Sequence, residues 1–250
     1  MSQSRIKGDK TALDPKAVAN FFNDRASKFN SKHPLTAVLY QDKNPALAEE
    51  RDAYEKLFAL PLLNLSGVER VLDIGCGIGR WAGLIQSQVD LYCGIDFSEG
   101  LIQIAKQQCT ANNVYFHVAA ADQVNCDAVV QYAPYNRILI AGLLIYLNDQ
   151  QITALCEGIK NVIDSNCLIY LREPLALDER LTLNQFWSEE LGTEYSAIYR
   201  TEIELQSMIY EAFGDLIKSK IVFHPLYTED SLNNRSETKQ FYTVLQLEKV

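Results

Sequence analysis

The chain has no apolar run long enough to cross a bilayer. Its longest, Ile138 to Leu147, is ten residues, against about 20 for a membrane-spanning helix. That length suits a buried strand and its exit. The N-terminus, MSQSRIKGDK, lacks the apolar core of a secretory signal. The six cysteines, Cys76, Cys93, Cys109, Cys126, Cys156 and Cys167, include no C-x-x-C pair and have no neighbouring histidines. That pattern argues against a metal site and against a disulfide framework, and reduced thiols in a cytoplasmic protein are expected. Basic charge is short too. Lys+Arg 23 against Asp+Glu 32 leaves a net charge of -9, a poor match for phosphate backbones, so nucleic acid is not an expected partner.

What is present is ordinary globular composition, with 48% hydrophobic and 22% charged residues in 250. That is enough for a core without staples, in one domain or one domain with a cap. There is no internal repeat and no low-complexity tract. The first dozen residues are polar and read as mobile. Asp14-Pro15 opens a helix with Phe21, Phe22, Ala26 and Phe29 roughly on one face, and a second helix starts near Pro45.

From Val68 short β-rich runs alternate with helical ones. The strand candidates are residues 70–74, 90–95, 114–118, 137–141, 166–171, 216–223 and 241–247. Helices are expected near 81–88, 99–111 and 150–163, with Ser98 and Asp149 as N-caps. This repetition predicts a doubly wound α/β fold, a parallel sheet covered on both faces. Residues 172–201 break the rhythm with aromatics and arginines. Thr201 and Glu204 then form a capping box, and Gly214 ends that helix. No helix-sized segment separates the last two strand candidates, so they pair as an antiparallel hairpin.

The stretch Asp73-Ile74-Gly75-Cys76-Gly77-Ile78-Gly79-Arg80-Trp81 runs from a strand through a glycine turn into a helix. Glycines there let a ligand lie against the backbone. In a doubly wound sheet that turn sits where ligands bind. The next strand ends in Gly94-Ile95-Asp96, whose carboxylate stands at its tip and suits two ribose hydroxyls, or a helix N-cap beside Ser98. A nicotinamide oxidoreductase is disfavoured by Arg80 at the third-glycine position of a dinucleotide fingerprint. It also lacks a Tyr-x-x-x-Lys pair after the fourth strand.

The glycine loop followed by Gly94-Ile95-Asp96-Phe97-Ser98 resembles the class I S-adenosylmethionine-dependent methyltransferases, over roughly Val68 to Leu171. The resemblance implies a Rossmann-like seven-stranded sheet of order 3-2-1-4-5-7-6, mostly parallel with the last strand antiparallel. It implies S-adenosylmethionine as cofactor and S-adenosylhomocysteine as product. Asp73, Gly75, Cys76, Gly77 and Gly79 would hold the methionine end, Asp96 the ribose, and Phe97 the adenine. The family's Gly-Asp-Ala after the third strand reads Ala119-Ala120-Ala121 here, which leaves Asp122 and Gln123 for the adenine edge. Ala141 leaves the fourth strand beside the methionine end. Leu143 and Leu144 are either core or acceptor contacts.

Residues 1–65 then form an N-terminal helical region that closes over the cofactor or packs on the sheet edge. Residues 66–172 form the cofactor core, 173–215 a substrate cap and helix, and 216–250 the C-terminal hairpin. Topology nominates Arg172, Glu173 and Tyr146 for the acceptor site and its chemistry, without assigning a base. Tyr40, Arg180, Tyr195, Tyr199 and Arg200 would wall the acceptor pocket together with Phe186 and Trp187, unless the aromatics are the cap's own core. Converging arginines would suit a carboxylate or phosphate. His33, His117 and His224 are weaker candidates. The expected partner is a small-molecule acceptor methylated on oxygen or nitrogen, with the protein a monomer or homodimer. A non-catalytic binding protein is disfavoured by the intact Asp73, Gly75, Gly77, Gly79 and Asp96 set.

Overall fold

A computed structural model describes residues 4–233 and 235–249. The chain begins with β1 (Arg5–Lys7), α1 (Pro15–Ser27), α2 (Thr36–Leu39) and α3 (Pro45–Leu62). Asp14 caps α1 by accepting from the Lys16 N–H, with Pro15 at the first helical position. The alternating core follows: β2 (Arg70–Ile74), α4 (Ala82–Ile85), β3 (Leu91–Asp96), α5 (Glu99–Gln108), β4 (Val114–Val118), α6 (Asp127–Val130), β5 (Tyr135–Ala141) and α7 (Asp149–Val162). Then come β6 (Ile163–Ala176), β7 (Leu181–Ser188), β8 (Thr193–Tyr199), α8 (Glu202–Phe213), β9 (His224–Pro225) and β10 (Thr238–Glu248).

The large sheet has the order β4-β3-β2-β5-β6-β10-β9, and only β10 runs antiparallel to the others. This is the expected seven-stranded topology. Its central strands are buried end to end because helices cover both faces. One core layer packs α7 and α8 against the sheet through Ile152, Leu155, Ile159, Leu205 and Ile209. The other packs Trp81, Ile85, Ile102 and Ala59 against Val71, Tyr92 and Tyr170. Among the described residues no helix is long and apolar enough to cross a membrane.

Four local expectations are corrected. The polar N-terminus is not wholly loose, because Arg5–Lys7 pairs antiparallel with β7. The 172–201 segment, where no strand is expected, is largely β-structure. It extends β6 to Ala176 and then folds as the β7–β8 hairpin, giving with β1 a separate three-stranded sheet. No strand forms over 216–223, which holds only an isolated bridge between Ile217 and Leu247; the edge strand is the two-residue β9 just beyond it. Ile221 and Phe223 are buried by packing without pairing as a strand. Finally, Asn148 rather than Asp149 caps α7, its N–H donating to Gln151 Oε1 at 3.1 Å. That frees the Asp149 carboxylate for other partners.

Candidate active site

The parallel strands deliver their carboxyl ends to one edge of the sheet, where α1 and α2 cover them. Between the two lies a cavity of about 250 Å³. Its floor is the glycine loop after β2. Gly75 (φ +74°) and Gly77 (φ +55°) take left-handed conformations that side chains resist. A Cβ on Gly77 would stand 2.7 Å from Val38 of α2, and one on Gly75 would stand 2.9 Å from Leu143. The loop thus presents bare backbone to the cavity. Gly79 does not line it. A Cβ there would meet Phe116 and Ala105, so this glycine serves close packing of the loop on β4 and α5.

Asp96 ends β3 inside the cavity. Its Oδ2 accepts from Gly77 N–H at 3.0 Å and its Oδ1 from Ser98 N–H at 2.9 Å. A carboxylate offers about four lone-pair sites, so two remain for a ligand. Burial pushes its pKa up to about 6. Asp73 is buried behind the loop and accepts from the Tyr92 hydroxyl, so it supports the cradle without lining it. Burial raises it to about 6 as well. Cys76, Phe97, Asp122 and Ala141 line the cavity; Gln123 is exposed and lies outside it. Gln151 and Asn148 of the α7 cap take that place, Gln151 donating to Asp122 Oδ2 at 3.1 Å. Sequence reasoning missed them, although their N-x-x-Q spacing was a capping signal. It also missed Arg80 as a lining residue. Arg80 reaches the cavity with a side chain only 6% exposed, held by Asp52 at 2.8 Å and Glu55 at 2.7 Å.

A second cavity, of about 100 Å³, meets the first at Tyr40, Ala141, Gly142 and Tyr146. Its walls carry Arg51, Arg172 and Arg235, with Tyr195 and Tyr199. The Tyr40 and Tyr146 hydroxyls are hydrogen-bonded to each other, and Tyr146 reaches the Tyr195 hydroxyl at 2.9 Å. Arg235 donates to the Tyr199 hydroxyl at 2.7 Å. Burial raises the pKa values of Tyr40, Tyr146 and Tyr195 well above the ordinary phenol value. These rings therefore stay neutral and act as donors and walls.

Residues 71–166 match the model of a family described as a methyltransferase domain. The match covers about two fifths of the chain, from β2 to the start of β6. Phosphoethanolamine N-methyltransferase 1 of Zea mays is 26% identical over 160 residues, covering 63% of this chain and 30% of that protein. The Arabidopsis thaliana protein of the same name is 28% identical over 128 residues, 50% of this chain and 26% of its own. The chain thus spans less than a third of these curated relatives. Among solved structures, phosphoethanolamine N-methyltransferase 1 of Haemonchus contortus, in complex with phosphoethanolamine and S-adenosylhomocysteine, has a TM-score of 0.66. It is 16% identical, over 94% of this chain and 49% of that one. A DhpI complex with S-adenosylhomocysteine also gives 0.66, at 14% identity, over 94% and 98%. The fold is that of the class I S-adenosylmethionine-dependent methyltransferases.

The fold leaves some expected residues outside the two cavities. Arg180 and Arg200 both turn to Asp149, at 2.9 and 2.6 Å, and Arg200 also donates to the carbonyls of Leu144 and Leu147. They pin the hairpin and α8 to the start of α7 and line neither cavity. Glu173 is buried, with Oε1 accepting from the N–H groups of Leu143 and Leu144 at 2.8 and 2.9 Å. Its Oε2 meets no partner among the described residues. Burial lifts its pKa to about 7 against those two hydrogen bonds. It shapes the turn after β5 and lines neither cavity. Of the aromatics, Phe186 packs beside the hairpin core and Trp187 is exposed. His33 pairs with Glu49, His117 lies against Tyr132 on the edge strand, and His224 is exposed beside Tyr242. None of the three histidines lines either cavity.

Proposed function

We propose that this chain transfers the methyl group of S-adenosylmethionine to a nitrogen or oxygen of a small acceptor that carries an anionic group. The observation that carries the reading is the second cavity: three arginines and four tyrosines converge where it meets the glycine-loop cavity. The first cavity fits the cofactor on its own chemistry. Its bare glycine backbone admits a ligand, and its buried carboxylate, Asp96, still has free lone pairs. Asp96 would hold the ribose, Gly75 and Gly77 would lie along the methionine portion, and Arg80 would meet its carboxylate. Phe97, Asp122 and Gln151 would surround the adenine. The cofactor supplies an activated methyl group on a sulfonium, so no metal or covalent enzyme intermediate is needed.

The chain's own task is positioning and dryness. Arg172, Arg51 and Arg235 hold the anionic group through charge-assisted hydrogen bonds. Tyr40 and Tyr146, at the junction, orient the nucleophile and exclude water. A neutral amine brings its own lone pair and needs only to lose a proton after transfer. An amine acceptor therefore suits a site without a histidine in its walls. Cytoplasmic residence fits the six free cysteines, five of them buried.

Phosphoethanolamine, the acceptor in the names of several relatives, combines an amine with a phosphate and is the first compound to assay. Transfer of labelled methyl groups to phosphoethanolamine but not to ethanolamine is the expected result. Equal transfer to ethanolamine would sink the anionic-group reading.

A further inference from the structure

The two cavities share one counter-ion. Glu55 of α3 is 1% exposed and lies between Arg80, which lines the cofactor cavity, and Arg172, which lines the acceptor cavity. Its Oε2 takes Arg80 Nη2 at 2.7 Å and Arg172 Nη2 at 3.3 Å; its Oε1 takes Arg172 Nε at 3.0 Å and the Tyr170 hydroxyl at 3.4 Å. Both guanidinium groups are themselves under 10% exposed. Arg172 also reaches the seam between the cavities. A Cβ on Gly142, which lines both, would fall 2.5 Å from Arg172 Nη1. Burial by itself would raise the Glu55 pKa, but attraction to Arg172 and Arg80 overrides it and holds the carboxyl down at about 2. The triad is therefore fully ionised throughout the working range of pH.

We propose that Glu55 is a positioning residue that couples the two cavities, so that an anion on Arg172 and the cofactor carboxylate on Arg80 bind antagonistically. This rests on the reading of the second cavity as an anion-accepting acceptor site. One carboxylate cannot fully satisfy two cations. A ligand carboxylate that draws Arg80 away leaves Glu55 more closely on Arg172, which then has less to offer a second anion. An anion on Arg172 does the reverse, and thermodynamic linkage makes the two effects equal. Asp52 backs Arg80 alone, at 2.8 Å, and is tied to Lys56 at 2.6 Å. Glu55 is therefore the one member of the cluster that contacts both arginines. The device keeps the acceptor and the spent cofactor from locking each other in place after transfer.

The test measures the dissociation constant of S-adenosylhomocysteine by calorimetry, with saturating inorganic phosphate and with chloride at matched ionic strength. In the wild type phosphate should weaken S-adenosylhomocysteine by about five-fold or more. Glu55→Gln should cut that factor below about two-fold. Glu55→Asp, which keeps the charge but is one methylene too short to reach both arginines, should do the same and guards against a misfolded neutral variant. Phosphate that binds without changing the wild-type constant would overturn the coupling. So would a penalty that persists unchanged in both variants, since direct repulsion between the ligands would then suffice. Phosphate that fails to bind at all would overturn the coupling together with the anionic-acceptor reading beneath it.

Discussion

At the scale of the residue, Asp96 makes the glycine-loop cavity sensitive to pH. Its pKa is raised to about 6 by burial, against an ordinary value of 3.8. Ionising it costs more in the folded chain than in the unfolded one. Its contribution to stability is present in full below about 3.8 and is lost as pH rises through about 6. Under the proposed ribose assignment the ionised form is the one that binds, so affinity runs the other way. Affinity for S-adenosylhomocysteine should increase between pH 5 and 7.5, and Asp96→Asn should flatten that profile in calorimetric titrations. Asp96→Ala should cost about 1.5–3 kcal/mol of binding at neutral pH, the usual worth of hydrogen bonds to a charged group. Unchanged affinity would remove the ribose assignment. Gly77 makes a second residue-scale prediction. With φ at +55° and Val38 2.7 Å from a would-be Cβ, Gly77→Val forces either the loop or α2 to move. The variant should keep its far-UV circular dichroism and lose its thermal shift with S-adenosylhomocysteine. A normal shift would mean that the loop is merely a turn.

At the scale of the element, the structure separates what local pattern encodes from what only the tertiary fold supplies. The strands β2 to β6 were legible because continuous apolar runs between helical periods are a local signal, and Ser98 and Thr201 announced their helices by capping chemistry. That Gly75, Gly77 and Asp96 share one cavity was legible for the same reason: they sit at strand ends whose order the pattern fixes. The β7–β8 hairpin was not. Its outer partner, Arg5–Lys7, lies some 175 residues away in sequence, and no local periodicity reports such a pairing. Residues 216–223 misled in the opposite sense. Their apolar positions suit a strand, but packing buries Ile221 and Phe223 without a ladder. Arginine among aromatics in a cap suits an anion, which is why the pattern alone points Arg180 and Arg200 at a substrate. The anion that claims them is Asp149, released from capping by Asn148. That assignment predicts stability, not catalysis. Asp149→Ala leaves two nearly buried cations short of a partner, which typically costs about 3–5 kcal/mol. The lower end applies, since Arg180 keeps Glu204 at 3.6 Å and Arg200 keeps two carbonyls. A fall in melting temperature of about 6–12 °C is expected for a chain of this size. A fall within about 1 °C would show that the two arginines are satisfied without it.

At the scale of the whole molecule, the two cavities adjoin at the edge where five parallel strands end, the first under α1 and α2 and the second against α2. The glycine loop, the tip of β3, the exit of β5 and the cap of α7 come from distant parts of the sequence, and only the folded sheet brings them together. A ligand of this site therefore binds the native state and not the unfolded chain. At 100 times its dissociation constant, such a ligand adds about 2.7 kcal/mol to stability. At roughly 2–4 °C per kcal/mol for a chain of this size, S-adenosylhomocysteine should raise the melting temperature by about 5–11 °C. NADH at the same concentration should leave it where it is. Arg80 stands where a dinucleotide site has the glycine that lets helix and strand pack closely, and its side chain lines the cavity, held by Asp52 and Glu55. A shift with NADH alone would mean that this arginine yields to a pyrophosphate, and the assignment of the methyl donor would fall with it. A shift with S-adenosylhomocysteine in the wild type that disappears in Gly77→Val would tie the stabilisation to the glycine loop and rule out a surface effect of the nucleoside.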